Sequence, residues 1–206
     1  MFVRDNPICR ARALESPQGL EQNYALVSGS IRKQTSLLCD VMDDYRANGL
    51  LGAKEFQWGN KKKGAKYVTT HLQELYDGTM KIIKSKKKGS ELDMILHWLQ
   101  VPGLGLPKAG FMVQLTMGRA GCMDVHNLRK YLPDEDASKG TPSRWQTSGQ
   151  SAETKRRKAI DYLDTCKKVG GCKFLWDTWC TERAEEYPDH FEDGDHVSAL
   201  HPIWVS

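Results

Sequence analysis

Apolar residues recur along this chain three and four positions apart, and no segment alternates convincingly at period two. The pattern predicts helices throughout and an all-α fold. Residues 1–22 carry no sustained period and read as an N-terminal arm, ahead of one helical domain over 23–206. From 24 to 45 the period is helical, and Gly29 and Ser30 divide it into two helices. Asn48 and Gly49 stop the second. Residues 52–66, rich in glycine and lysine, read as an exposed loop or short hairpin. Helical spacing resumes over 66–76 through Val68, Leu72, Leu75 and Tyr76, and Met80, Ile82 and Ile83 add an apolar patch.

Ser90 has a side chain suited to an N-cap, with Glu91 and Asp93 in the first turn where the helix dipole favours acids. That helix is predicted to reach Gln100. The next covers 106–117, with Pro107 tolerated in its first turn. Its apolar residues wrap most of its circumference, which marks it as central and buried. Gly118 ends it, and a short connection leads to Asp124 and a helix over 125–132. Residues 133–151 are polar and rich in Pro, Gly and Ser, which predicts a mobile loop. A helix over 152–169 is stopped by Gly170 and Gly171, and a last one covers 173–187 with Trp176 and Trp179 as core candidates.

Composition adds limits. The chain has 206 residues, 39% of them hydrophobic, enough for one domain with a real core. Its apolar runs fall short of the ~20 residues needed to cross a bilayer, so no membrane partner is expected. The first residues lack the apolar region of a secretory leader, so the expected location is the cytoplasm, the host's if the protein is viral. The six cysteines are scattered and read as free thiols. Their spacing is not that of a zinc site, so no metal and no cofactor are expected. A monomer is the expectation.

The net charge of +4 is modest but uneven. Lys61, Lys62, Lys63, Lys66 and the lysines from 81 to 88 are opposed only by Glu74 and Asp77, whereas the tail is acidic. A polyanionic partner for the basic part is one reading; a solvated lysine surface is the other.

The most informative stretch is VPGLGLPKAGFMVQLTMGRAGCMDVHN, residues 101–127. A helix, a Pro-Gly-Leu-Gly turn and a second helix make a helix-hairpin-helix. Gly103 and Gly105 are free to take positive φ and to bring the backbone close to another surface. The first N–H groups after Gly105 lack intrahelical partners and carry partial positive charge. Gly103, Leu104, Gly105 and Leu106 thus offer a backbone site for a DNA phosphate, with charge added by Lys108, Lys61, Lys62 and Lys63. An ordinary turn between helices carries the same glycines.

Asp124 suits a different task. Breaking an N-glycosidic bond builds positive charge on the sugar, and a carboxylate near C1′ stabilises it. An aspartate just before a helix also serves as that helix's cap. The order Val101-Pro102-Gly103-Leu104-Gly105, Ala109, Gly118, Met123-Asp124-Val125-His126 resembles the signature of the helix-hairpin-helix DNA glycosylase superfamily. The remaining chain agrees only in being helical and of suitable length. The resemblance implies a glycosylase-like helical domain that binds duplex DNA, flips a modified or damaged base and acts on it with Asp124. His126, Asn127 and Trp145 are candidates for the pocket, and Arg144 and Trp145 for a segment closing over DNA.

Two departures shape that expectation. The family's Schiff-base lysine position falls on Pro107, which favours chemistry without a covalent amine, although a shift of one residue would bring Lys108 into the slot. The cysteine-held iron–sulfur cluster of several members has no counterpart, because Cys166, Cys172 and Cys180 have the wrong spacing. The resemblance also extends to phage amino acid:DNA transferases, the glutamyl/putrescinyl-thymine pyrophosphorylases of thymine hypermodification. Those would act on an activated 5-hydroxymethyluracil and leave the glycosidic bond intact. A non-catalytic DNA-binding module is the third reading.

Overall fold

The structure, a computed structural model, describes residues 15–28, 59–133, 142–171 and residue 175. Among the described residues there are only helices and connections, so the fold is all-α there. The helices are α1 (Pro17–Ser28), α2 (Gly59–Thr70), α3 (Leu72–Lys84), α4 (Ser90–Trp98), α5 (Leu106–Met117), α6 (Val125–Tyr131) and α7 (Ala152–Val169), with a 3₁₀ turn at Ser143–Trp145 before α7. None is long and apolar enough to cross a membrane.

Helix α1 begins inside the segment expected to be an arm. Ser16 starts it by accepting the Gly19 N–H on its hydroxyl at 3.1 Å. Leu20, Tyr24 and Val27 then fall on one buried face. The signal was diluted because Glu21 and Asn23, polar residues that usually mark a surface, are buried here too. The helix ends at Ser28, just before Gly29; Gly29 and the segment to 58 lie outside the described residues.

Helix α2 replaces the expected lysine-rich loop. Its apolar stripe is narrow: Ala65 and Val68 are fully buried and the lysines around them are not. Gly64 looked like a loop residue but is a packing residue. A Cβ there would collide with the Tyr24 hydroxyl and the Pro102 carbonyl, so its absence lets α2 lie against the hairpin. His71, at φ −117°, separates α2 from α3, which runs on to Lys84, past the expected end.

Helices α4 and α5 form the centre. Helix α4 packs on α3, α5 and α7, and α5 packs on α1, α4 and α7. Met94, Ile95, Trp98, Leu106, Ala109, Met112 and Val113 are fully buried between them. The cap of α4 is Gly89, at φ 82°, not Ser90. Ser90 is the first helical residue, and its hydroxyl accepts from Arg119 at 3.4 Å. Helix α5 has the expected bounds and is closed by Gly118 at φ 66°.

The described part of 133–151 is not a loose loop. Trp145 is fully buried, with its ring 5.0 Å from that of Tyr162 in an edge-to-face pair. Its Nε1–H donates to Asp161 at 2.8 Å, and Lys158 donates to the Ser143 and Gln146 carbonyls at 3.0 and 2.8 Å. These contacts staple the turn to α7. Residues 134–141, the expected helix over 173–187 apart from Leu175, Trp58 and the acidic tail lie outside the described residues.

Candidate functional site

The hairpin is the connection between α4 and α5. The Leu104 N–H closes it by donating to the Val101 carbonyl at 3.1 Å. Its two glycines have different reasons. Gly103 sits at φ 80°, and a Cβ there would lie 2.9 Å from the Asn60 carbonyl of α2. Its need for glycine is therefore internal. Gly105 is extended, at φ −94°, and a Cβ there would meet nothing nearer than Pro107 Cδ at 3.9 Å. Only one of the two takes the positive φ open to both. Nothing among the described residues requires Gly105 to lack a side chain.

Gly105 is also the N-cap of α5, and among the described residues no side chain caps that helix. Pro107 removes one of the N–H groups of the first turn. The N–H groups that remain there are the anion-binding end of a helix.

The hairpin forms one wall of a cleft of about 660 Å³. The opposite wall is the turn at 143–150 with Lys155 and Lys158 of α7, and α2 contributes Asn60 and Lys63. Among the described residues, the charged ones lining it are Lys63, Lys155 and Lys158. None of the three is in an ion pair among the described residues. The remaining lining is amide, hydroxyl and backbone, including Gln100, Gln146 and Gln150. A cleft with three lysines, amide groups and no acid is suited to an extended anion.

The residues expected to hold DNA divide accordingly. Gly103 and Gly105 reach the cleft through their backbone, and Lys63 lines it. Leu104 and Leu106 offer backbone only, because their side chains are in the core. Lys108 points the other way. Its Nζ is 3.5 Å from the Ser28 carbonyl, and burial lowers its pKa. It is a half-buried amine beside α1 and adds no charge to the cleft. Lys62 is half-buried on α2 outside the cleft lining, and the Lys61 side chain lies outside the described residues.

Asp124 stands at the end of the 118–124 connection, whose backbone is held from three sides. The Cys122 N–H donates to Gln114 Oε1 of α5 at 3.1 Å. The Met123 N–H donates to the Tyr162 hydroxyl of α7 at 3.0 Å, and that hydroxyl donates to the Gly121 carbonyl at 2.5 Å. Asn127 Nδ2 of α6 donates to the Cys122 carbonyl at 2.6 Å. The half-buried Asp124 carboxylate accepts the Asn127 N–H at 3.0 Å, so it does cap α6. Asp124 does not line the hairpin cleft. The structure therefore does not put the two expected parts on one wall.

Of the expected pocket residues, Asn127 is buried and committed to the Cys122 carbonyl. Trp145 is a core residue with an edge on the cleft. The His126 side chain lies outside the described residues. Desolvation, with the Asp124 charge next, pushes the Cys122 thiol well above its ordinary range, which favours the neutral thiol. Among the described residues no cluster of side chains suits a metal ion.

Sequence reading missed the second wall. The basic start of α7 was visible in Lys155 and Lys158. That the 143–150 turn folds back onto it was not, because the tie is made of contacts with Lys158, Asp161 and Tyr162, all on a later helix. Compared with family models, curated proteins and solved structures, the chain matches none of them.

Proposed function

We propose that this protein is a DNA-acting enzyme of the helix-hairpin-helix glycosylase type. The hairpin cleft holds the phosphate backbone and Asp124 serves the chemistry on an extruded base. The observation that carries the first half is the cleft itself: an uncapped helix start at Gly105 facing a wall whose charged groups are all lysines. Such contacts position a backbone and read no sequence. The second half rests on Asp124's resemblance-matched place and on a carboxylate held by its neighbours. A base inside a duplex is out of reach, so the nucleotide is turned out at a cost of a few kcal/mol. As the C1′–N bond breaks, its electron pair leaves with the base, Asp124 stabilises the cationic sugar, and water adds at C1′, giving up a proton that balances the one taken up by the departing base. Pro107 in the lysine slot and the inward turn of Lys108 favour water over an amine as nucleophile.

The test is incubation with duplexes carrying modified pyrimidines or purines, followed by mass spectrometry. Free base supports the glycosylase. A nucleoside heavier by an amino acid supports the transferase chemistry on the same scaffold. A specific observation favours the non-catalytic module: Asp124 caps α6 and does not line the cleft. Tight duplex binding with neither product establishes that reading instead.

A further inference from the structure

The buried Tyr162 side chain bonds the backbone on both sides of Cys122, two residues before Asp124. Its ring fills a space made for it. Gly110, in the middle of α5, has no Cβ because one there would collide with the Tyr162 hydroxyl and with the Gly121 carbonyl. A glycine in a helix interior costs about 0.5–1 kcal/mol against alanine, so its presence needs a reason, and this approach is one. The hydroxyl uses both its capacities, donating to Gly121 and accepting from Met123. The ring also makes an edge-to-face pair with Trp145, which lines the hairpin cleft. One residue thus spans from the wall of the cleft to the backbone that carries Asp124.

We propose that Tyr162 is a positioning residue. Its hydroxyl fixes the 121–123 backbone and so sets where the Asp124 carboxylate stands, and its contact with Trp145 ties that placement to the cleft wall. This rests on the Asp124 chemistry proposed above. Phenylalanine keeps the ring against Trp145 and deletes only the hydroxyl. In Tyr162→Phe the Met123 amide loses its acceptor and the Gly121 carbonyl keeps only the weaker Cys166 thiol at 3.8 Å, while the hairpin, α2 and the three cleft lysines are untouched.

The test compares the wild-type chain, Tyr162→Phe and Leu163→Val, a neighbour on α7 whose trimming thins the core and leaves the hydroxyl's bonds in place. Each is confirmed as folded by a cooperative melt. Three quantities are read: duplex affinity, single-turnover base release, and amide hydrogen exchange at Met123. The expected result for Tyr162→Phe is affinity within about twofold, base release slowed roughly a hundredfold, as for a misplaced catalytic group, and a faster Met123 amide. Leu163→Val should keep wild-type release. Wild-type release in a folded Tyr162→Phe, or an equal loss in Leu163→Val, overturns the proposal and leaves the Asp124 reading standing. Absence of base release from the wild-type chain overturns both, and is seen without any variant. If Tyr162→Phe does not fold, the wild-type Met123 amide decides: exchange as fast as at the exposed 148–150 turn overturns the proposal.

Discussion

Two connections leave the ends of α5, and they are built in opposite ways. The one before it, 101–105, is open. One of its glycines has free space where a side chain would be, its helix start has no cap, and it borders a cleft. The one after it, 118–124, is closed. Gln114, Tyr162 and Asn127 hold its backbone, a Cβ at Gly121 would run into Leu175, and Ala120 is kept at φ 58°, where alanine is rare. An open backbone can adapt to a partner and contribute N–H groups. A closed one can hold a single side chain in a fixed place. The proposed division of labour, binding at the first and chemistry at the second, follows from that contrast.

The strongest way to break the comparison is at its closed end. Asp124→Asn keeps the size and an acceptor oxygen for the α6 cap but removes the charge. Loss of a group that stabilises transition-state charge slows reactions about 10²–10³-fold. Single-turnover base release should fall by that order, with duplex affinity and melting temperature nearly unchanged. Full activity in Asp124→Asn would leave the carboxylate as a cap and nothing more.

The open end is tested by its two glycines, which should fail differently. Gly103→Ala forces a side chain into the left-handed region and against the Asn60 carbonyl. A non-glycine residue in such a conformation costs about 1–3 kcal/mol, so this variant should lose stability in a denaturant melt. Gly105→Ala meets no obstacle and should melt as the wild type does. If a phosphate approaches that backbone, its methyl blocks the approach. Losing a hydrogen bond to a charged group lowers affinity roughly tenfold or more. A stable Gly105→Ala with wild-type duplex affinity would place the anion elsewhere.

Much of this was readable in the sequence, for a physical reason in each case. Helix α5 was legible because its apolar residues and flanking glycines act locally, and α7 because Gly170 and Gly171 stop it. The hairpin and Asp124 were legible as a spaced motif. What was not legible depends on distant contacts. Helix α1 was hidden by buried Glu21 and Asn23, and α2 by Gly64, whose role is to admit Tyr24 and Pro102. Trp145 read as a mobile aromatic because Asp161 and Tyr162, its partners, lie on a later helix. Lys108 read as a cleft charge because its first-turn position does not show which way the side chain turns. The second wall of the cleft needed all of these contacts together.

That second wall gives a smaller test. Lys155 lines the cleft from α7 and is in no ion pair among the described residues. If it meets a phosphate, Lys155→Ala should weaken binding evenly across sequences and lower the slope of log affinity against log salt by about one. Lys108→Met, on the buried side, should leave that slope unchanged. Equal effects from both would mean the two faces do not differ as bindingly as their geometry implies.

The smallest expected effect lies behind the first wall. Gln100 lines the cleft, and its amide contacts His97 Nδ1 at 3.1 Å and the Tyr67 hydroxyl at 3.3 Å. The other nitrogen of His97, Nε2, lies 3.0 Å from the Leu75 carbonyl, so it carries the proton and Nδ1 accepts from Gln100. Burial lowers the imidazole's pKa below its ordinary 6.5, outweighing the Leu75 bond, which raises it. The unfolded chain therefore binds the proton more readily than the folded one. This contribution to stability is whole above the ordinary value and declines as pH falls below it, levelling only under the depressed value in the fold. A proton on Nδ1 would also face the Gln100 amide nitrogen and force that amide to turn over at the cleft wall. His97→Gln should flatten the acid-side decline in melting temperature and the matching change in duplex affinity. A decline as steep as the wild type's in His97→Gln would assign it to another group and leave the first wall, like the hairpin it supports, indifferent to pH.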